Sequence, residues 1–174
     1  MKKLILIVGA SGVGKDTLIK AIKDDIKANF VTRYVTRIPD ENETNYYIAK
    51  EDFVCLKDKD FFVSFWEAHG NCYGVSKNSI LDGLNIISVS RDSIKDFETE
   101  FEEVVTINIK IPTQMLYNRL KSRNREDENT ILNRIKRSDK QVVAKRLVEF
   151  YNDKSIEQSK QEFVSLISSL NFGA

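Results

Sequence analysis

The chain has 174 residues with 27 basic and 26 acidic side chains, so its formal net charge is +1. This balance excludes a global field that would attract nucleic acid or an anionic membrane, and any anion must be bound locally. Two cysteines, one histidine and no apolar run of membrane-spanning length argue against a disulfide framework, a zinc site or a membrane anchor. The composition predicts one soluble, cytoplasmic unit without nucleic-acid or membrane partners, and leaves open whether it is a monomer or a dimer.

The first motif begins at residue 4 and reads LILIVGASGVGKDTL. Gly9, Gly14 and Lys15 fit the pattern G-x-x-x-x-G-K, in which loop amides curl around a phosphate and the lysine reaches its outer oxygens. The apolar run before the loop predicts a strand, and apolar residues at 18, 19, 22 and 26 predict a helix to about residue 28. We therefore predict a phosphate-binding loop whose helix directs its positive end at the anion. The alternative is a glycine-rich turn between core elements.

The residue after Lys15 departs from the usual pattern, because Asp16 stands where a hydroxyl commonly contacts magnesium and Thr17 comes next. A carboxylate beside a triphosphate is tolerable when Mg²⁺ lies between them. Asp16 and Thr17 are therefore the candidate magnesium residues. If Asp16 merely favours the helix N-terminus, it has no metal role.

The following segment, 30–37, predicts a strand that carries Arg33 and Arg37 on one side, as an anion clamp or as a solvated edge. A polar loop at 38–45 leads into residues 46–49, which read Tyr-Tyr-Ile-Ala. Strands at 61–66 and 72–75, joined by a turn at 69–71, predict an inserted, aromatic-rich hairpin lobe. Tyr73, beside a glycine, is expected to direct its hydroxyl at a ligand.

Strands and helices alternate in the rest of the chain. The predicted elements are a short helix at 77–84, a strand at 85–90, a helix at 92–101, a strand at 104–111, a helix opened by Pro112, a strand at 147–151 and a helix at 156–170. This alternation predicts an α/β fold with a parallel sheet and helices on both faces. The strand at 85–90 ends in polar residues, where such a sheet binds its ligands.

Five arginines crowd residues 118–139, namely Arg119, Arg123, Arg125, Arg134 and Arg137. Ile131, Leu132 and Ile135 provide only a narrow apolar stripe for the helix here, so it is weakly anchored and could move. Phosphoryl transfer needs cations and exclusion of water, which an arginine-bearing closing lid supplies. The alternative is a solvated helical surface.

Five segments in this order carry a resemblance: GASGVGKDT, YVTR, HGNCYGV, RLKSRNREDENTILNRI and YND. With them the chain resembles the guanylate-kinase-like branch of P-loop kinases over nearly its whole length. The resemblance implies a nucleoside monophosphate kinase-like P-loop NTPase fold with a five-stranded sheet and a single domain over 1–174. Its core would be about 1–37, 84–124 and 140–174, its acceptor-binding insertion about 38–83 and its lid about 124–140.

The resemblance also implies roles for individual residues. ATP would be held by Gly9, Ala10, Ser11, Gly12, Val13, Gly14, Lys15, Asp16 and Thr17, with Asn152 near the adenine. Arg37 and the hydroxyls of Tyr46 and Tyr73 would hold the acceptor phosphate. Arg123 and Arg134 would belong to the lid and act in catalysis with Lys15.

The chain departs from guanylate kinases at the positions that contact guanine, which here hold Ser64, Val75 and Ser90. Arg33 stands where that family carries a small hydroxyl residue. The GKD loop, the R-Y-x-T-R strand, the Y-G-V hairpin and the pair Ser90-Arg91 are instead similar to ribose 1,5-bisphosphate phosphokinases. Ser64, Ser90 and Arg91 are therefore included with the substrate-binding candidates.

Together these observations predict an ATP- and Mg²⁺-dependent kinase acting on a phosphate of a small phosphorylated acceptor, with ribose 1,5-bisphosphate expected. Guanylate kinase, or another nucleoside monophosphate kinase, is the alternative enzyme. A non-catalytic guanylate-kinase-like binding module is the alternative outside enzymes, and the intact Gly9, Gly14 and Lys15 argue against it.

Overall fold

The computed structural model describes residues 1–38, 44–122, 127–138 and 140–173. Arg123, Arg125 and most of the loop predicted at 38–45 lie outside these ranges, and so does the side chain of Arg137. The described strands and helices are, in chain order, β1 (Lys2–Gly9), α1 (Lys15–Ala21), β2 (Asn29–Phe30), β3 (Arg33–Val35), β4 (Asn45–Tyr47), α2 (Lys50–Asp58), β5 (Phe62–Ala68), β6 (Asn71–Ser76), β7 (Gly83–Ser88), α3 (Ile94–Glu100), β8 (Glu103–Lys110), α4 (Thr113–Ser122), α5 (Glu128–Ser138), β9 (Leu147–Tyr151) and α6 (Ile156–Ser169).

The central sheet has five strands in the order β2-β7-β1-β8-β9, and every neighbouring pair is parallel. Residues 4–8 of β1 are fully buried because helices cover both faces. Ile5 and Ile7 pack in a cluster that includes apolar residues of α1, α4 and α6, whereas Leu4 and Leu6 pack in a cluster with residues of α3. The predicted α/β fold with a parallel sheet is confirmed.

A second sheet, of four strands in the order β4-β3-β6-β5, contains the predicted hairpin. Its turn is formed by His69 and Gly70, both with positive φ (52° and 76°), as a two-residue hairpin loop requires. The sequence prediction of one strand over 30–37 was wrong. Phe30 pairs with Ile86 of the central sheet, whereas β3 pairs with β4 and β6 of the second sheet. The chain bends between β2 and β3, since Phe30 packs against the core of the central sheet whereas Val35 lies in the second sheet.

Two helix predictions need correction, and one helix was not predicted. Helix α1 ends at Ala21 and not near residue 28, since the chain turns at residues 22–26. Helix α2 was not predicted, because Phe53 is its one fully buried side chain and charged residues surround it. Residues 77–84 form only a 3-10 turn at Lys77–Ser79 before β7 begins. Within the described residues, no helix combines the length and apolar character needed to span a membrane.

Candidate active site

A cleft of about 640 Å³ lies where β1 and β7 end and where α1 begins. The loop after β1 forms one wall, the hairpin of the second sheet forms another, and α5 contributes from the far side. Eleven of the predicted site residues line it: Gly9, Ala10, Ser11, Lys15, Asp16, Arg33, Arg37, Tyr73, Ser90, Arg91 and Arg134. The cleft is therefore at the edge of the sheet where parallel strands of an α/β fold bind ligands.

Two glycines give the loop its path. Gly9 has φ +149°, and a Cβ there would lie 2.5 Å from the carbonyl oxygen of Ile109. Gly14 precedes α1 in the left-handed region at φ +93°, and a Cβ there would lie 2.7 Å from Nδ2 of Asn152. Both positions need glycine, for backbone conformation and for space.

Lys15 is held against the loop that precedes it. Its Nζ donates to the carbonyl oxygen of Gly9 at 2.7 Å and to that of Ala10 at 3.0 Å. The ammonium group thus lies across the mouth of the loop and lines the cleft. This is the arrangement from which a lysine can reach the outer oxygens of a phosphate held by the loop amides.

The back of the loop is supported by residues far along the chain. Nδ2 of Asn152, a side chain only 6% exposed, donates to the carbonyl oxygen of Val13 at 2.8 Å. Arg119 donates to the same carbonyl at 3.2 Å and to the carbonyl oxygen of Asn152 at 3.3 Å. Asn152, expected near an adenine, is not in the cleft lining; it braces the loop. Gly12, Val13 and Gly14 likewise do not line the cleft, and Val13 is buried in the core.

Arg33 connects the loop to the acceptor lobe. Its Nε donates to Oδ1 of Asn45 at 3.2 Å, and its Nη1 donates to the carbonyl oxygen of Ser88 at 3.3 Å. Its Nη2 lies 3.7 Å from Oδ1 of Asp16, so the pair is an ion pair between β3 and the first turn of α1. The Arg33 side chain is 15% exposed and lines the cleft, which makes it a cation that other elements hold in place.

Arg37 and Tyr73 contact each other in the wall of the cleft to which the hairpin belongs. Nε of Arg37 donates to the hydroxyl of Tyr73 at 3.3 Å, and both residues line the cleft. Tyr46 is not with them: it is 56% exposed on β4, with its ring centroid 5.3 Å from that of Tyr34, and does not line the cleft. The structure therefore brings together two of the three residues expected at an acceptor phosphate.

The residues at the guanine-contacting positions are placed differently from one another. Ser64 is buried, its hydroxyl donates to Oδ2 of Asp96 on α3 at 2.6 Å, and it does not line the cleft. Val75 is completely buried. Ser90 lines the cleft and its hydroxyl accepts from the amide of Asp92 at 3.4 Å. Arg91 donates from Nη2 to the carbonyl oxygen of Ser138 at 3.1 Å, next to Arg134 in the cleft wall.

Asp16 is the carboxylate next to the phosphate loop, in the first turn of α1. Asp16 lines the cleft with its side chain 44% exposed, whereas Thr17 is exposed on α1 and does not line it. No group of three or more histidine, cysteine, aspartate or glutamate residues that could hold a metal occurs in the described part of the chain. A single carboxylate beside a phosphate loop fits Mg²⁺, which is commonly bound by one or two carboxylates together with phosphates and water.

Nucleophilic chemistry by the nearby cysteine is excluded by its surroundings. Burial raises the pKa of the Cys72 thiol, and the carboxylate of Glu67, with Oε1 3.6 Å from Sγ, raises it further. Cys72 packs against Phe53 and Phe62 in the small apolar cluster of the lobe. A thiol that stays protonated in this position is a packing residue.

The sequence analysis assigned no role to several residues that line the cleft, among them Trp66, Asn71, Ser88 and Lys140. The sequence does contain a pattern that predicts the position of Trp66. If the turn is the two residues His69 and Gly70, counting outward pairs Trp66 with Tyr73, and the structure has this register. Cross-strand partners share a face, so Tyr73 in the cleft predicts Trp66 there as well.

Comparison with known proteins agrees with this geometry. The guanylate kinase family model matches residues 1–169. A ribose 1,5-bisphosphate phosphokinase of Desulfomicrobium baculatum is 31% identical over 96% of this chain and 95% of that protein. A bifunctional ribose 1,5-bisphosphokinase-thymidine phosphorylase of Roseobacter denitrificans is 34% identical over 95% of this chain, which spans 26% of that longer protein.

A solved structure shows the same fold. The crystal structure of guanylate kinase from Anaplasma phagocytophilum superposes with a TM-score of 0.66 at 16% sequence identity, covering 97% of this chain and 85% of that one. The match of the family model to nearly the whole chain, the named kinases among its relatives and the loop geometry agree. This chain therefore belongs to the guanylate kinase family and is a phosphotransferase with a P-loop α/β fold, as the sequence predicted.

Proposed function

We propose that this kinase transfers the γ-phosphoryl group of ATP to a phosphate of ribose 1,5-bisphosphate, giving 5-phosphoribosyl diphosphate. The observation that carries the proposal is the composition of the acceptor wall. Arg33 and Arg37 both line it, while Ser64 is buried, is bonded to Asp96 and does not line it. A site with two fixed cations and few partners for a base suits an acceptor with two phosphates and no base.

The relatives support the same acceptor. Both curated relatives described above are named for ribose 1,5-bisphosphate kinase activity, and one of them matches this chain over nearly its full length. These names agree with the absence of guanine-contacting side chains at positions 64, 75 and 90 of this chain.

In the proposed reaction the loop amides and Lys15 hold the ATP phosphates, and Arg37 with the Tyr73 hydroxyl holds the acceptor phosphate. The attacking oxygen belongs to an ionised phosphate, so no general base is required. Positioning and neutralisation of charge then supply most of the rate enhancement. Mg²⁺, when bound near Asp16, would neutralise charge on the transferred group.

We also propose that the chain acts as a single domain with a core, an acceptor lobe and a lid at about 124–140. Arg134 of α5, which lines the cleft, would reach the transferred phosphate when the lid closes. Arg123, which lies outside the described residues, is expected to act with it. Closure of this kind excludes water from the reaction.

The test is a direct comparison of acceptors. Purified protein with ATP and Mg²⁺ is supplied with ribose 1,5-bisphosphate or with GMP, and the products are identified by ³¹P NMR. We expect kcat/KM for the bisphosphate to exceed that for GMP by about 10⁴-fold, as for a site whose hydrogen-bonding partners for the base are missing. The Lys15→Ala variant controls for contaminating kinases. Efficient phosphorylation of GMP would refute the proposal in favour of guanylate kinase activity.

A further inference from the structure

Trp66 is the single tryptophan of the chain. Trp66 lies on β5 directly opposite Tyr73 on β6, in the register set by the two-residue hairpin turn. The two rings are nearly parallel, with planes 5° apart and centroids 5.7 Å apart. Both rings line the cleft. The acceptor wall therefore contains an aromatic stack.

The Trp66 side chain is held from behind. It is half-buried and packs against the apolar cluster that includes Val75 and Ile87. Its neighbour Phe65 has the opposite orientation: it is 45% exposed and lies under the ammonium of Lys57, with Nζ 4.7 Å from the ring centroid. Alternation along β5 thus gives one aromatic residue to the cleft and the next to the outer surface.

The stack adjoins the cations that would hold the acceptor phosphate. The hydroxyl of Tyr73 accepts from Nε of Arg37, and the guanidinium of Arg33 lies 5.9 Å from the Tyr73 ring centroid. A compound whose phosphate is bound by Arg37 therefore has its carbon skeleton next to the aromatic stack. Glu67, which follows Trp66 in sequence, points to the other face, where it contacts Cys72.

We infer that Trp66 is a specificity-determining residue: its indole provides the apolar face on which the ring of a phosphorylated pentose lies. This inference rests on the proposed function and assigns the recognition of the sugar. Aromatic rings offer a large rigid contact surface, while an apolar wall leaves the hydrogen-bonding groups of a base unpaired. His69 and Asn71, at the hairpin tip of the same cleft, are the polar groups within this part of the wall.

The first test uses Trp66 as its own probe. The wild-type protein is titrated with ribose 5-phosphate and, separately, with inorganic phosphate, while tryptophan emission is recorded and binding is measured by calorimetry. We expect the sugar phosphate to change the emission and inorganic phosphate to leave it nearly unchanged at equal saturation. Calorimetric binding of ribose 5-phosphate without any change in emission would overturn the inference.

The second test compares Trp66→Leu with Phe65→Leu, a matched change on the adjacent residue of the same strand. We expect Trp66→Leu to raise KM for ribose 1,5-bisphosphate about 3- to 10-fold, as for the loss of one aromatic contact. KM for ATP should stay constant, and Trp66→Phe should retain most of the affinity. An unchanged KM for the acceptor, or an equal rise in Phe65→Leu, would refute the role of Trp66.

The outcomes also separate this inference from the proposed function. Thermal unfolding of each variant shows whether the lobe still folds, and the titration of the wild type needs no variant at all. If GMP proves to be the acceptor and Trp66→Leu weakens its binding, the proposed function fails while the contact between Trp66 and the acceptor is upheld. If ribose 1,5-bisphosphate is the acceptor and Trp66→Leu has no effect on its KM, the inference alone fails.

Discussion

Replacement of Asn152 by alanine tests the brace behind the phosphate loop. The variant loses a buried hydrogen bond of 2.8 Å to the Val13 carbonyl, and such a loss commonly costs about 1–3 kcal/mol. The Val13 carbonyl still accepts from Arg119, so we expect the lower part of that range, about 1–2 kcal/mol. For a chain of this size the melting temperature should fall by roughly 2–8 °C.

The loop should also bind nucleotide with lower affinity, because one of the two side chains that hold the Val13 carbonyl is missing. Calorimetry with ATP and Mg²⁺, beside thermal unfolding of the free protein, measures both effects. Asn118→Ala is the matched control: Asn118 is exposed on α4, and its side chain accepts from the exposed Gln114. Unchanged stability together with unchanged ATP affinity in Asn152→Ala would refute the bracing role.

A double variant sharpens the same reasoning. A Cβ at Gly14 would lie 2.7 Å from Nδ2 of Asn152, so Gly14→Ala suffers both from that contact and from its positive φ. In the Asn152→Ala background the contact is gone and only the backbone strain of about 1–2 kcal/mol remains. We therefore expect the two substitutions to be non-additive, with the double variant more stable than the sum of the single effects indicates. Strict additivity would contradict the close approach of the two residues.

Three further predictions concern the cations and the carboxylate of the cleft. Lys15→Ala should lower kcat about 10²- to 10³-fold with little loss of thermal stability, and near wild-type turnover would remove the loop from the mechanism. Asp16→Asn should raise the Mg²⁺ concentration needed for half-maximal rate; a small change in stability with unaltered Mg²⁺ dependence would leave Asp16 without a metal role. Arg33→Ser should lower kcat/KM for ribose 1,5-bisphosphate more than for any monophosphate, and an equal loss for both would mean that Arg33 only supports the lobe.

The central strands of the sheet could be predicted from the sequence, because a strand that is buried on both faces is a nearly continuous run of apolar residues. Residues 4–8 and 104–111 are mostly apolar runs, and they form β1 and β8 with errors of one or two residues, whereas β9 at the edge of the sheet matches 147–151 although only Phe150 is buried there. The phosphate loop is equally local, since three residues at fixed spacing define it. Helix α2 left a weaker record, because its contact with the lobe depends largely on Phe53.

The orientation of individual side chains at the site depended on distant partners. Ser64 was expected at the substrate, but its partner Asp96 lies 32 residues further on and turns it inward. Asn152 is still predicted to lie near the nucleotide base, and nothing in the sequence indicates that its side chain donates to the Val13 carbonyl, 139 residues away. Neither pairing leaves any pattern in a single sequence. By contrast, Arg33 and Arg37 could be placed correctly in one cleft wall, because the spacing between them is short.

The brace on the phosphate loop has a consequence for the order of synthesis. The loop is made long before its supports, because Arg119 and Asn152, which hold the Val13 carbonyl, follow Val13 by 106 and 139 residues. Chains fold from the N-terminus as they emerge, so the nascent protein carries the whole loop motif well before its supports exist. Nascent chains arrested before residue 152 should therefore fail to retain ATP, and the capacity to bind nucleotide should appear only after Asn152 has been added and has emerged.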